Sequence, residues 1–331
     1  MKRHLTLLCL LALCGHALAQ GPNNSGTYYA NADGTKGSAL KTALSKIVNP
    51  HTQRTYKQLW TDFRTTDARA DGKVWDMYSG VTNYTFGTDQ AGNYKQEGDV
   101  YNREHSFPKS WFNDGYPMYT DLMHLVPTDG YVNGRRSNYP FGETKGETYK
   151  SSGGFSKVGA STVSGYSGTV FEPNDEYKGD FARIYFYMVT SYEDKVSSWS
   201  CDMLSGNKYP ALADWALQML LRWAEQDPVS QKEIDRNNAV YGIQGNRNPF
   251  VDYPGLEQYV WGDKTTVAFS YDDYGNATGI KSLDQESSEP TFITVYTLTG
   301  SAASQGHTVQ EALQNLPKGI YVVKGKKYAV K

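Results

Sequence analysis

Cysteine is scarce, with 3 in a chain of 331 residues, and Cys9 and Cys14 both fall among the first nineteen. A chain reduced to Cys201 forms no intramolecular disulfide, so packing, and a metal where one binds, must hold it. Paired cysteines at zinc spacing, a His-Glu-x-x-His string and a glycine-rich phosphate loop are all missing, so no motif supports those cofactor sites. Positive charge is not in excess: 33 Lys plus Arg face 35 Asp plus Glu, a formal net of -2. That excludes nucleic-acid recognition by gross basicity but leaves room for a local basic cleft. Long apolar runs are absent as well. The longest, residues 5–13, is too short to span a bilayer, so no transmembrane segment is expected.

What is present starts with a leader. Lys2 and Arg3 precede the apolar run, and Ala17, Leu18 and Ala19 form a small-x-small site, so cleavage after Ala19 is expected. Cleavage lowers the basic count from 33 to 31 against 35 acidic residues, a net of -4. The remaining chain, 39% hydrophobic and 14% aromatic, has the composition and length of a globular protein with a substantial core. No internal repeat occurs.

Four segments are expected: residues 1–19 as leader, 20–263 as the catalytic region, 264–290 as strand and linker, and 291–331 as a small β-rich tail. Ser38 is a candidate cap for a helix with Leu40, Leu44 and Ile47 on one face. Tyr56, Leu59, Trp60 and Phe63 repeat that spacing. Residues 72–105 read as short strands and turns, and Thr128 as the cap of a helix through Tyr131, Val132 and Arg135. Residues 150–170, rich in Ser and Gly, read as a mobile loop. Helices are expected over 181–192 and 212–224, and again after Asp227 and Pro228 with Asp227 or Ser230 as cap. Strand and helix alternate irregularly, which argues for an α+β fold. In the tail, residues 292–298 read as a strand and 319–330 as a hairpin.

Histidine is rare enough to guide the search for chemistry. Past residue 19 only His51, His105, His124 and His307 remain. Glu104 and His105 sit at a strand end, and Asn133 lies on or near the helix that follows. Phosphodiester hydrolysis needs a base of near-neutral pKa, which imidazole supplies. It also needs a hard, oxygen-ligated cation, which a carboxylate and an amide oxygen can hold while leaving positions open. Arginine holds phosphate bidentately. Residue types alone leave a structural Glu–His pair equally open.

The string YNREHSFP at 101–108, VNGRRSN at 132–138, GDFAR at 179–183, DPVS at 227–230 and QGNRNPFVDYP at 244–254 occur in order. With them the chain resembles the endonuclease I family of exported nucleases over residues 28–262. The resemblance implies a ββα-metal (His-Me finger) core surrounded by helices. It also implies a metal-dependent, sequence-nonspecific cleavage of DNA, with RNA as a second substrate class, leaving 5′-phosphate and 3′-hydroxyl ends. His105 is then the general base and Glu104 and Asn133 hold Mg²⁺, with Ca²⁺ or Mn²⁺ as alternatives. Residues 110–120 lack the arginine and cysteines found in better-known members, so Arg136, Arg247 and His124 are the candidates for phosphate or DNA contact. Lys145, Lys150 and Lys157 are candidates for a DNA groove. Two other readings stay open: an exported nucleic-acid-binding surface protein of weak activity, and a phosphodiesterase of small nucleotides. The tail, through LPKGIYVV at 316–323, resembles Bacteroidetes type IX secretion sorting domains, which implies secretion machinery as a partner and a secreted, cell-surface or periplasmic location. A monomer is expected.

Overall fold

Helix α1 (Gly37–Val48) forms because Leu40, Leu44 and Val48 recur every four residues and are buried together. Lys36, rather than Ser38, holds the N-cap position, and Ser38 lies inside the first turn. Helix α2 (Leu59–Thr66) buries Leu59 and Phe63, while Tyr56 stands in the turn before it. The computed structural model describes residues 20–90, 92–274, 293–297, 302–306, 312–314, 316–323 and 326–330. The expected leader, the linker over 275–290, His307 and the hairpin tip at Lys324 and Gly325 lie outside the described residues.

The chain divides into two units, Met1–Ala277 and Thr278–Lys331. In the first, strand β1 (Tyr101–His105) pairs antiparallel with β2 (Leu125–Asp129), placing Glu104 opposite Val126 and His105 opposite Leu125. Helix α3 (Gly130–Arg136) follows β2 without a loop. Asp129 caps it, its side chain accepting from the Val132 amide at 2.8 Å. Thr128, the expected cap, lies one residue earlier, opposite Asn102, and Asp129 opposite Tyr101 ends the strand and caps the helix. Glycine at 130 and 134 lets the Tyr94 ring lie against α3. A Cβ on Gly130 would meet Tyr94 Cδ1 at 2.7 Å, and one on Gly134 would meet its hydroxyl at 2.9 Å.

Two loop expectations are corrected. Ahead of β1, residues 72–100 form turns and isolated bridges rather than strands. There, carboxylates take the backbone donors that a ladder would use: Asp76 from the Tyr78 amide, Asp89 from Thr85 and Asp99 from Lys95, at 2.7 to 2.8 Å. Conversely, the Ser/Gly-rich stretch is a three-stranded antiparallel sheet of β3 (Tyr149–Lys150), β4 (Lys157–Ala160) and β5 (Thr169–Glu172). Its Val158, Val170 and Phe171 are buried, which a mobile loop does not offer.

The helical shell follows from pattern. Helix α4 (Lys178–Ser191) is buried on every side from Gly179 onward and packs against the amphipathic α5 (Asp214–Gln226). Helix α6 (Gln231–Gln244) opens with a capping box of Ser230 and Glu233, and Gly245 ends it in the left-handed conformation. Gly242, also expected as an end, stays helical. Two short helices, α7 (Pro249–Asp252) and α8 (Leu256–Val260), close the shell. Residues past 263 still belong to it, because Phe269 exchanges backbone bonds with Gly34 and Thr35 at 2.8 Å and its ring packs on Tyr253. The second unit is a sheet in the order β7–β6–β8–β9, from β6 (Ile293–Thr297), β7 (Ala302–Gly306), β8 (Gly319–Val323) and β9 (Lys326–Val330). Val295, Ala312 and Tyr321 are buried there. The protein is α+β, and no described helix is long and apolar enough to cross a membrane.

Candidate active site

The end of β1, the turn after it and α3 share a cavity of about 390 Å³, whose walls include Glu104, His105, Asn133, Arg136, Arg103 and Lys109. Sequence distance is thus bridged by the β1–β2 pairing and by the Asp129 cap, which starts α3 so that Asn133 falls one turn in.

His105 is only 5% exposed. Its Nε2 lies 3.0 Å from the Tyr119 carbonyl, in the 3-10 turn Met118–Thr120. A carbonyl can only accept, so Nε2 carries the hydrogen and the lone pair stands on Nδ1. The Tyr119 and Tyr56 rings flank the imidazole at 5.0 and 6.0 Å. Burial first, and then the neighbouring His124, hold the His105 pKa well below the usual imidazole value.

Glu104 is buried, and burial raises its pKa while Arg136, Tyr78 and the Asn133 side chain pull it down. The Tyr78 hydroxyl and Arg136 Nη1 both donate to Oε1, at 2.8 and 3.0 Å. Arg136 and Tyr78 thus share one oxygen of the carboxylate.

Of the three residues expected at phosphate or DNA, Arg136 lines the cavity, whereas Arg247 and His124 do not. Arg136 borders the cavity but is 1% exposed, its Nη1 also meeting the His105 carbonyl and its Nη2 the Ser106 carbonyl at 2.7 Å. Its charge is spent on Glu104 and the end of β1, so it positions the carboxylate. Arg247 is away from the cavity, forked onto Asp252 at 2.6 and 2.7 Å. His124 is fully buried, donating from Nε2 to the Met118 carbonyl at 2.7 Å while its own carbonyl accepts from Ser106. It braces the chain after β1 from within the core. Lys157 pairs with Glu172 on the separate sheet, and Lys145 and Lys150 stand exposed near it.

Tyr78, Tyr119, Tyr56 and Arg103 were missed by sequence reasoning. Tyr119 acts through its backbone, which leaves no mark in residue type. Arg103 lay inside the 101–108 string without a cue to its surroundings.

Among the described residues no three His, Cys, Asp or Glu side chains gather as a ligand cluster. Glu104 and Asn133 adjoin and line one cavity, offering a carboxylate and an amide oxygen. Two hard oxygen donors with room for water and phosphate fit a divalent cation such as Mg²⁺.

Strands β1 and β2 and helix α3 thus form a ββα unit that brings an imidazole and two hard oxygen donors to one cavity. The chain matches Endonuclease I over residues 36–255 and belongs to that family, and it is an endonuclease. It is 36% identical over 243 residues to an extracellular ribonuclease of Bacillus amyloliquefaciens, covering 71% of this chain and 78% of the relative. The extracellular ribonuclease of Bacillus subtilis (strain 168) is 35% identical over 242 residues, with the same coverage of 71% and 78%. A periplasmic deoxyribonuclease of Aeromonas hydrophila is 28% identical over 135 residues, 41% of this chain and 48% of the relative. Nucleases of this family are generally metal-dependent.

Proposed function

We propose that the protein is an exported, sequence-nonspecific endonuclease that hydrolyses DNA and RNA in a cation-dependent reaction, with His105 as general base. The observation that carries this is the Nε2 bond to the Tyr119 carbonyl, which turns the basic Nδ1 lone pair free in a cavity lined by Glu104 and Asn133. Nδ1 takes a proton from water as the water oxygen bonds to phosphorus. The bond from phosphorus to the 3′ oxygen then breaks, leaving a 5′-phosphate, and solvent protonates the departing oxygen. Glu104 and Asn133 would hold the cation, Mg²⁺ being the first choice, which supplies charge neutralisation at the phosphate when bound. Arg136 and Tyr78 keep the Glu104 carboxylate oriented throughout.

Export is supported by the lysine–arginine start and apolar run of residues 1–19, and by relatives named extracellular and periplasmic. Relatives named ribonuclease and deoxyribonuclease support both polymers as substrates.

Supercoiled plasmid incubated with the protein and Mg²⁺ should be nicked and then degraded. EDTA should stop it, and His105→Ala should slow it by about 10²–10⁴-fold, the usual share of general base catalysis. Plasmid left intact by the uninhibited protein would overturn the reading. Cleavage by His105→Ala at the parent rate would remove His105 as base.

A further inference from the structure

Beside the cavity runs a strip of aromatic rings that the reaction itself does not use. Tyr119, which flanks His105, has its ring 4.8 Å from that of Tyr56 and 5.3 Å from that of Tyr116. Tyr116 lies outermost and is 52% exposed, a large apolar ring facing water next to the reacting centre. Two cations border the strip. Lys109 Nζ stands 5.4 Å above the Tyr119 ring and is shared with the exposed Asp114. Arg103 Cζ is 3.5 Å from the centre of the Tyr56 ring and 4.2 Å from that of Trp60. Among the described residues no carboxylate pairs with Arg103; its Nη1 donates to the Tyr56 carbonyl at 2.7 Å and its buried Nε has no partner. A guanidinium fixed between rings and left without an anion is ready for a phosphate.

We propose that Tyr116, Tyr119 and Tyr56, bordered by Arg103 and Lys109, form a stacking platform that receives unpaired nucleobases, so that the enzyme binds single-stranded nucleic acid more tightly than duplex. The proposal rests on the nuclease reading of the adjoining cavity. The physical reason is the open π-face. In a duplex each base is covered above and below by its neighbours, whereas a base in a single strand can lay its face on Tyr116 while its phosphate meets Arg103. The strip, the two cations and the cavity then follow one path along the strand.

The test uses fluorescence anisotropy in EDTA, with labelled dT12 and a labelled 12-base-pair duplex as probes, on the wild type, Tyr116→Ala and Tyr116→Trp. Tyr116→Ala should weaken dT12 binding by about 5- to 100-fold, the range that loss of one base–aromatic stack gives. Duplex affinity should stay within about twofold, and Tyr116→Trp should hold dT12 as tightly as the wild type, since its ring restores the stack. Unchanged dT12 binding in Tyr116→Ala, or an equal loss on both probes, would overturn the platform. Plasmid cleavage with Mg²⁺, run in parallel, separates this from the nuclease reading. A wild type that cleaves plasmid while Tyr116→Ala binds dT12 normally overturns the platform alone. Loss of dT12 binding in Tyr116→Ala, with plasmid left intact by the wild type, keeps the platform and overturns the nuclease.

Discussion

Among the buried arginine–carboxylate pairs of the first unit, Arg136 with Glu104 and Arg247 with Asp252 are completed differently. The Arg247 fork takes both oxygens of Asp252, and Tyr29 adds a third donor at 2.7 Å. Arg136 reaches only one oxygen of Glu104, and Tyr78 shares that same oxygen. Burial raises the pKa of both carboxylates despite the arginines, so neither pair is explained as a simple gain from charge attraction. The difference is in the lone pairs. A saturated carboxylate can only hold the fold, here the turn between α6 and α7. Glu104, whose two strongest donors share one oxygen, borders a cavity that something from outside can enter.

The largest effect should come from exchanging the two. Glu104→Gln should lower plasmid cleavage by about 100-fold or more, since the cation loses its charged ligand. Asp252→Ala should leave activity per folded molecule near the parent value and cost about 3–5 kcal/mol of stability in urea denaturation, because it strands Arg247. If Asp252→Ala were instead stable and inactive, the division between the pairs would be wrong.

A third buried carboxylate, Glu257, sharpens the scale, because its Oε2 has no partner among the described residues. Burial pushes its pKa up to about 7. The folded protein therefore binds this proton more tightly than the unfolded chain, and stability falls as pH rises from about 4 to 7. Glu257→Gln should flatten that slope and add on the order of 1–3 kcal/mol at pH 8 relative to the parent. Urea midpoints at pH 5 and pH 8 measure it, and an unchanged slope would remove Glu257 from the account. The smallest effect belongs to a site with no charge pair to break. Ser230→Ala should cost about 1 kcal/mol by loss of its capping bond, read as a lower Tm, with cleavage intact.

Part of this was legible in the sequence. The three- and four-residue spacing of Leu40, Leu44 and Ile47 announced α1, and the apolar run of α4 and the apolar face of α5 stood out because long helices repeat their pattern several times. Glu104, His105 and Asn133 were named from ordered strings, and the fold brings them to one cavity. The sheet β3–β4–β5 was hidden because strands of two to four residues carry too little periodicity to outweigh the Ser and Gly around them. The surroundings of the arginines were hidden for a related reason. Residue type reveals a cation but not its partner, and Arg136, Arg247 and Arg103 differ only in what faces them. The cap of α3 missed by one residue, since Thr128 and Asp129 are both good caps and the sequence does not mark which side chain accepts from the Val132 amide.

The Tyr119 carbonyl has a consequence for how this protein can change over time. Every amino acid carries a main-chain oxygen, so substitution at position 119 does not in itself delete the acceptor that orients His105. The residue there is free to drift toward whatever suits incoming strands, while the proton stays on Nε2. Inheritance of the His105 tautomer depends on the path of a short turn, and that path can be kept by many sequences.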